Sequence, residues 1–280
     1  MSVFKEEIVI VGADDQPISC DVSFNPNLRD MPLVIFCHGF KGFKDWGPWN
    51  AVAAYFAERG VFFLKINFSH NGVSLDDLSE ITDIETFGKN TITKELTDLT
   101  LVLDWFVEGN EIYRPYIDVS NVTLIGHSLG AAICLIKTIE DDRILRIISW
   151  GGAFNLKKLS ELEDDKAWKE RGYSELTNDR TGDVYQINYS FREDFLSNID
   201  QLDLTKRLVE LDQGILMIHG TNDLVSPISN AKKIFEFVPH ALLIENEGNH
   251  TFGGKHPWEQ TTMPPILEQV VVDSLEFIQL

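Results

Sequence analysis

Three side chains in this sequence could together carry nucleophilic acyl-transfer chemistry: Ser128, Asp223 and His250. Ser128 lies in Gly126-His127-Ser128-Leu129-Gly130, between a β-branched apolar run at 122–125 and a small apolar segment at 131–136. The run has the length and branching of a buried strand, and the segment suits a helix packed on a sheet. Gly-x-Ser-x-Gly in that context puts the serine on a tight, strained turn with its hydroxyl above the sheet edge. The helix then starts at the serine, where its dipole and free N–H groups favour negative charge. A neutral hydroxyl is a poor nucleophile, so an imidazole must take its proton and a carboxylate must orient that imidazole. Asp223 and His250 each follow a predicted strand, at 215–219 and 241–245. Taken singly, each reads as an ordinary turn residue. Taken together, the order serine, acid, histidine is the one associated with this turn.

Residues so far apart in sequence meet only if parallel strands deliver their ends to one sheet edge. The chain has that rhythm. Strands at 7–11 and 18–24 flank a turn-rich joint and predict an antiparallel hairpin at the sheet edge. The strand at 33–37 is apolar throughout, as a central strand covered on both faces should be. Helix 49–59, strand 61–68, helix 94–107, the strand and helix around Ser128, and strand 146–150 follow. Strand 215–219, helix 229–237, strand 241–245 and helix 265–278 complete the series. The expectation is an α/β fold, a mostly parallel sheet with helices on both faces. Its core spans 1–153 and 212–280.

Residues 154–211 break the alternation. A charged helix at 161–171, a turn at 177–182, a short strand at 183–189 and a helix at 191–198 are expected there. So short a segment could hold only a small core of its own, so it reads as an inserted lid. Its aromatics Tyr185 and Tyr189, with Phe43, Trp46 and Phe252 from the loops, are candidates to line an apolar substrate pocket. Alternatively, the aromatics of the insert form its own small core. His38-Gly39-Phe40 follows the strand at 33–37, and such a turn can expose the Phe40 N–H as half of an oxyanion hole.

Lys and Arg number 24 against 44 Asp and Glu, a net charge of −20, which argues against nucleic acid and anionic membrane surfaces as partners. No membrane-length apolar stretch and no signal-peptide pattern stand out. Cys20, Cys37 and Cys134 read as buried thiols of a reducing compartment, so the expected location is cytoplasmic. No histidines fall at metal-ligand spacing and no phosphate-binding glycine motif occurs, so neither a metal nor a cofactor is expected.

Through His38-Gly39-Phe40, Gly126-His127-Ser128-Leu129-Gly130, His219-Gly220-Thr221-Asn222-Asp223 and Gly248-Asn249-His250, the chain resembles the α/β-hydrolase superfamily. Within it, the resemblance is to cinnamoyl or feruloyl esterase-like and serine aminopeptidase-like carboxylesterases, over essentially the whole chain and least at 154–211. It implies Ser128 as nucleophile, His250 as base, Asp223 as orienting acid, and the N–H groups of Phe40 and Leu129 as oxyanion donors. It also implies a small-molecule carboxylic ester as substrate. A thioesterase or peptidase with the same triad, and a non-catalytic binding protein on the same fold, are the alternatives. Oligomeric state is open, a homodimer included. The sequence departs from the family at Asn67, which stands where members often carry the acid of an Asp-x-x-Gly-x-Gly-x-Ser turn.

Overall fold

The computed structural model describes residues 3–178 and 182–280. The chain begins with β1 (Phe4–Val11) and β2 (Pro17–Phe24), paired antiparallel from Phe4 opposite Phe24 to Val11 opposite Pro17. Then come β3 (Met31–Cys37), α1 (Trp49–Glu58) and β4 (Phe62–Ile66), followed by α2 (Ile84–Gly88) and α3 (Ile92–Leu103). Next are β5 (Ile117–His127), α4 (Leu129–Glu140) and β6 (Ile144–Trp150). The stretch beyond β6 folds as α5 (Leu156–Leu159), α6 (Asp165–Arg171), β7 (Tyr173–Thr177), β8 (Val184–Asn188), α7 (Ser190–Ser197), α8 (Ile199–Leu202) and α9 (Leu204–Arg207). The chain then forms β9 (Gly214–Gly220), α10 (Ser229–Phe237), β10 (Leu242–Asn246) and α11 (Pro265–Ile278).

Eight strands make one sheet in the order β1-β2-β4-β3-β5-β6-β9-β10, parallel from β4 to β10, with β2 antiparallel to β4. The register sets up the site. Cys37 at the end of β3 lies opposite both Ile66 of β4 and Gly126 of β5. His127 lies opposite Trp150 of β6, which in turn faces Ile218 of β9. The loops after β3, β5, β6 and β9 therefore leave the sheet at one edge.

Side chains alternate across the pleat, and here they fill two cores. On one face Leu33, Ile35, Leu64, Leu124 and Ile147 pack with α3 and α4. On the other, Val34, Phe36, Phe63, Ile125 and Ile148 pack with α1 and α11. Phe56 of α1 stacks on Phe63 at 4.8 Å, and the Trp150 indole donates to Ser274 Oγ of α11 at 3.0 Å. Strands buried on both faces cannot alternate apolar with polar residues, which explains the continuous apolar runs.

The expected helix at 265–278 coincides with α11, while several other elements differ from expectation. The polar stretch before Asn90 contains α2, capped by Asp83, whose carboxylate accepts the Thr86 N–H at 2.9 Å. β7 was not foreseen; it pairs antiparallel with β8 from Tyr173 opposite Asn188 to Thr177 opposite Val184. Of the turn expected at 177–182, residues 179–181 lie outside the described residues. Among the described residues no helix is long and apolar enough to cross a membrane.

α3 buries two acids. Asp98 accepts the N–H groups of Ala13 at 2.8 Å and Ser69 at 2.7 Å, tying the β1–β2 turn and the loop after β4 to this helix. Burial nevertheless pushes its carboxyl up to about 6. Among the described residues Glu95 accepts only from Asn90 Nδ2, at 2.7 Å, and burial, with a smaller contribution from Asp98, raises it to about 8. A carboxyl raised by folding stabilises fully below its unfolded pKa of about 4.3, and that contribution is lost as pH climbs to the folded value. Glu95→Gln keeps the Asn90 contact without the ionisation. The variant should gain stability over the parent by a few kcal/mol as pH goes from 5 to 8. Melting temperatures at both pH values would show it; an unchanged gap would mean that Glu95 ionises freely in the fold.

Candidate active site

Ser128 stands between β5 and α4 with φ 54° and ψ −119°, a backbone region that costs a residue other than glycine about 1–3 kcal/mol. Surrounding bonds hold it there. Its N–H donates to Trp150 O at 3.0 Å, and its carbonyl accepts from Ala131 and Ala153 at 3.1 and 3.0 Å. Two glycines make the close approach feasible. A Cβ on Gly39 would lie 2.7 Å from Ser128 Cβ, and one on Gly130 would collide with the carbonyls of Cys37 and His38.

His250 reaches Asp223 directly, Nδ1 to Oδ2 at 2.8 Å. A carboxylate only accepts, so Nδ1 carries the proton and Nε2 is left with its lone pair. The other Asp223 oxygen accepts the N–H groups of Val225 at 2.9 Å and Ser226 at 2.8 Å. Burial alone would raise this carboxyl. Hydrogen bonds from His219, His250 and Ser226 outweigh it and hold Asp223 well below the usual carboxylate range.

The remaining strand-end histidines are struts. His127 Nε2 donates to His250 O at 2.9 Å, and burial lowers the ring to about 3, so it stays neutral. His38 Nδ1 donates to Gly39 O at 2.9 Å, while its Nε2 accepts from Phe68 N–H at 3.4 Å and Asn71 Nδ2 at 3.3 Å. Burial depresses it to about 4. This ring fixes the Gly39-Phe40 turn. Among the described residues, the N–H groups of Phe40 and Leu129 have no backbone acceptor.

Ser128 and His250 both line a cavity of about 300 Å³, with Phe40, Phe43, Trp46 and Tyr185 among its walls. Tyr185 and Asn178 enter it from the 154–211 segment, and Asn178 Nδ2 donates to the Tyr185 hydroxyl at 3.1 Å. Two anticipated pocket residues lie elsewhere. Tyr189 packs edge-on to Trp168 and donates its hydroxyl to Asp165 at 3.1 Å. Phe252 is fully buried in the core beneath α11. Trp49, Ile81 and His127 line the cavity without having been singled out as pocket residues; Trp49 read simply as the first residue of a helix. Among the described residues no three His, Cys, Asp or Glu side chains converge on a metal site.

No family model matches the sequence, and no curated protein matches it either. Solved structures do. Est1E from Butyrivibrio proteoclasticus, solved with ferulic acid bound, superposes at TM-score 0.74 with 19% identity, covering 97% of this chain and 98% of that one. An esterase from Pyrococcus furiosus superposes at 0.63 with 15% identity, over 99% and 90% of the two chains. A dienelactone hydrolase from Anabaena variabilis gives 0.62 with 16% identity, over 98% and 97%. The chain has the α/β-hydrolase fold.

On this α/β-hydrolase frame the loop after the Phe40 turn is pinned by a charge cluster. Lys65 Nζ, on β4, reaches Asp21 Oδ2 at 3.0 Å, Asp45 Oδ1 at 2.8 Å, Asn50 Oδ1 at 2.8 Å and the Lys44 carbonyl at 3.0 Å. Lys44 Nζ meets the remaining oxygens, Asp21 Oδ1 at 2.7 Å and Asp45 Oδ2 at 2.5 Å. Both lysine side chains are 1% exposed. Burial alone would lower the Lys44 ammonium, but Asp21 and Asp45 outweigh it and raise it. Asn67, noted above for its place in the turn after β4, completes the hold. Its Oδ1 accepts Lys44 N–H at 2.7 Å and Asn71 Nδ2 at 3.0 Å, and its own amide donates to Ser19 Oγ at 3.0 Å. An amide can donate as well as accept, so here it bridges partners of both kinds.

Proposed function

We propose that this chain is a serine hydrolase that cleaves carboxylic esters through an acyl-Ser128 intermediate. The observation that carries the proposal is the 2.8 Å contact between His250 Nδ1 and Asp223 Oδ2 in a molecule whose Ser128, at positive φ, lines the same cavity as His250. In this reading His250 Nε2 takes the Ser128 Oγ proton as Oγ attacks the ester carbonyl. The N–H groups of Phe40 and Leu129 stabilise the oxyanion, a contribution worth about 3–4 kcal/mol per donor in such sites. Collapse of the tetrahedral intermediate passes the proton to the leaving alcohol. Water, activated by the same imidazole, then releases the acid and restores Ser128. Asp223 keeps His250 in the required tautomer and stabilises its charged form.

Carboxylic ester is the preferred bond because the site is a cavity and not an extended groove for a peptide. The aromatic walls, and the esterases among the structural neighbours, support the same choice. A fluorophosphonate tests the reaction class: it should label Ser128 stoichiometrically, and an unlabelled, folded protein would overturn the proposal in favour of a binding role.

In the same proposal the 154–211 segment is a lid that shapes the acyl pocket through Tyr185. Tyr185→Ala should change the relative kcat/KM of aromatic and short aliphatic nitrophenyl esters by about 1–3 kcal/mol in transition-state terms. An unchanged ranking with a lowered melting temperature would make Tyr185 a packing residue only.

A further inference from the structure

A second cavity, of about 350 Å³, lies between the 154–211 segment and α10 and shares no wall residue with the first. Its apolar surface comes from Phe154, Leu156, Phe195, Leu202, Leu204 and Ile234, each at most 9% exposed. The polar lining is of one prevailing sign. Lys157 comes from α5 and Lys233 from α10; Lys232, next to the latter, is engaged by Glu245 at 2.9 Å. Among the described residues Lys157 and Lys233 have no acidic partner, in a chain with 44 acids and 24 bases. Asp203, the one carboxylate among the described lining residues, is already committed. It caps α9 through Thr205 N–H at 3.2 Å and Thr205 Oγ1 at 2.6 Å, with Lys206 at 3.7 Å from its other oxygen.

An apolar chamber of this size has the dimensions of a small-molecule site. Two free ammonium groups on its lining select for one negative charge at the end of an apolar body, and against a neutral or cationic one. We infer that this cavity is a binding site for an aliphatic carboxylate, separate from the cavity at Ser128. The chain occupies the Phe195–Leu204 side, and the carboxylate lies between Lys157 and Lys233. The site adjoins the acid loop, because Asn230 of its wall donates to Ser226 Oγ at 3.4 Å and Ser226 Oγ donates to Gly152 O at 2.7 Å.

The test is photolabelling of the full chain with a diazirine analogue of decanoic acid, followed by peptide mapping. Adducts should fall on peptides carrying Phe195 to Leu204 and Lys233–Ile234. Decanoate should compete, and 1-decanol should compete roughly tenfold less well. The double variant Lys157→Ala, Lys233→Ala should lose about tenfold in decanoate affinity with an unchanged melting temperature. Ile199 is 37% exposed at the wall, so Ile199→Trp can fill the cavity without disturbing the core, and it should abolish the adducts. Adducts confined to the Ser128 cavity or scattered over the surface would overturn the inference. Equal competition by decanol, or labelling that survives Ile199→Trp, would do the same. None of these readouts uses ester turnover, so the site stands or falls separately from the reaction proposed at Ser128.

Discussion

Ser128→Ala should lower ester turnover by about 10⁴–10⁶-fold while the protein melts cooperatively at close to the parent temperature. The hydroxyl is the proposed point of bond formation, and among the described residues it makes no hydrogen bond that holds the fold. Those contacts are made by its N–H and carbonyl, to Trp150, Ala131 and Ala153. His250→Ala should fall by a similar factor. The double variant should be scarcely worse than either single one, because groups acting in one proton relay lose their effect together. Asp223→Asn should cost about 10⁴-fold, because an amide can present its N–H to His250 Nδ1 and impose the wrong tautomer. Nitrophenyl ester hydrolysis with parallel thermal melts reads all four. Near-normal turnover in Ser128→Ala would remove the acyl-serine mechanism altogether.

The second large effect is on stability. Lys65→Ala should destabilise by about 3–5 kcal/mol, the usual cost of leaving partly buried charges without their partner. Asp21 and Asp45, each 20% exposed at the side chain, would then share one ammonium, and the Asn50 and Lys44 oxygens would lose their donor. Denaturant titration measures the loss. Activity should fall as well, because the same ammonium holds the loop that follows Phe40. A variant with parental stability would mean that water replaces Lys65 without penalty.

Lys65 also marks the limit of what could be read from the sequence. Val61 to Phe68 was recognisable as a strand from its apolar run, but a lysine within it suggests an edge or a solvated face. Its burial depends on β4 lying between β2 and β3, and on Asp21 and Asp45 arriving from other elements. Charge partners contributed from distant segments leave no local pattern. Ser128 was legible for the opposite reason: the steric demands of its turn fall on adjacent residues, so Gly126 and Gly130 betray it. β7 was missed because its last residue, Thr177, falls in the turn expected at 177–182 and Glu175 is a poor strand former; pairing with β8 supplies what propensity does not. The pocket aromatics divided along the same line. Composition identified the rings, and only packing separates Tyr185, on the cavity wall, from Tyr189, which seals against Trp168.

β6 and β9 hydrogen-bond side by side although roughly sixty residues separate them in sequence. The entropy of closing such an excursion grows only logarithmically, by about 0.6 kcal/mol for each doubling of its length. Shortening the excursion to a quarter would therefore return little more than about 1 kcal/mol to the sheet. The pairing of Arg146 to Trp150 with Gly214 to Ile218 is thus nearly indifferent to how much chain is looped out between them. Descendants of such a frame could lengthen, trim or exchange that excursion while the strand ends that carry Ser128, Asp223 and His250 keep their spacing.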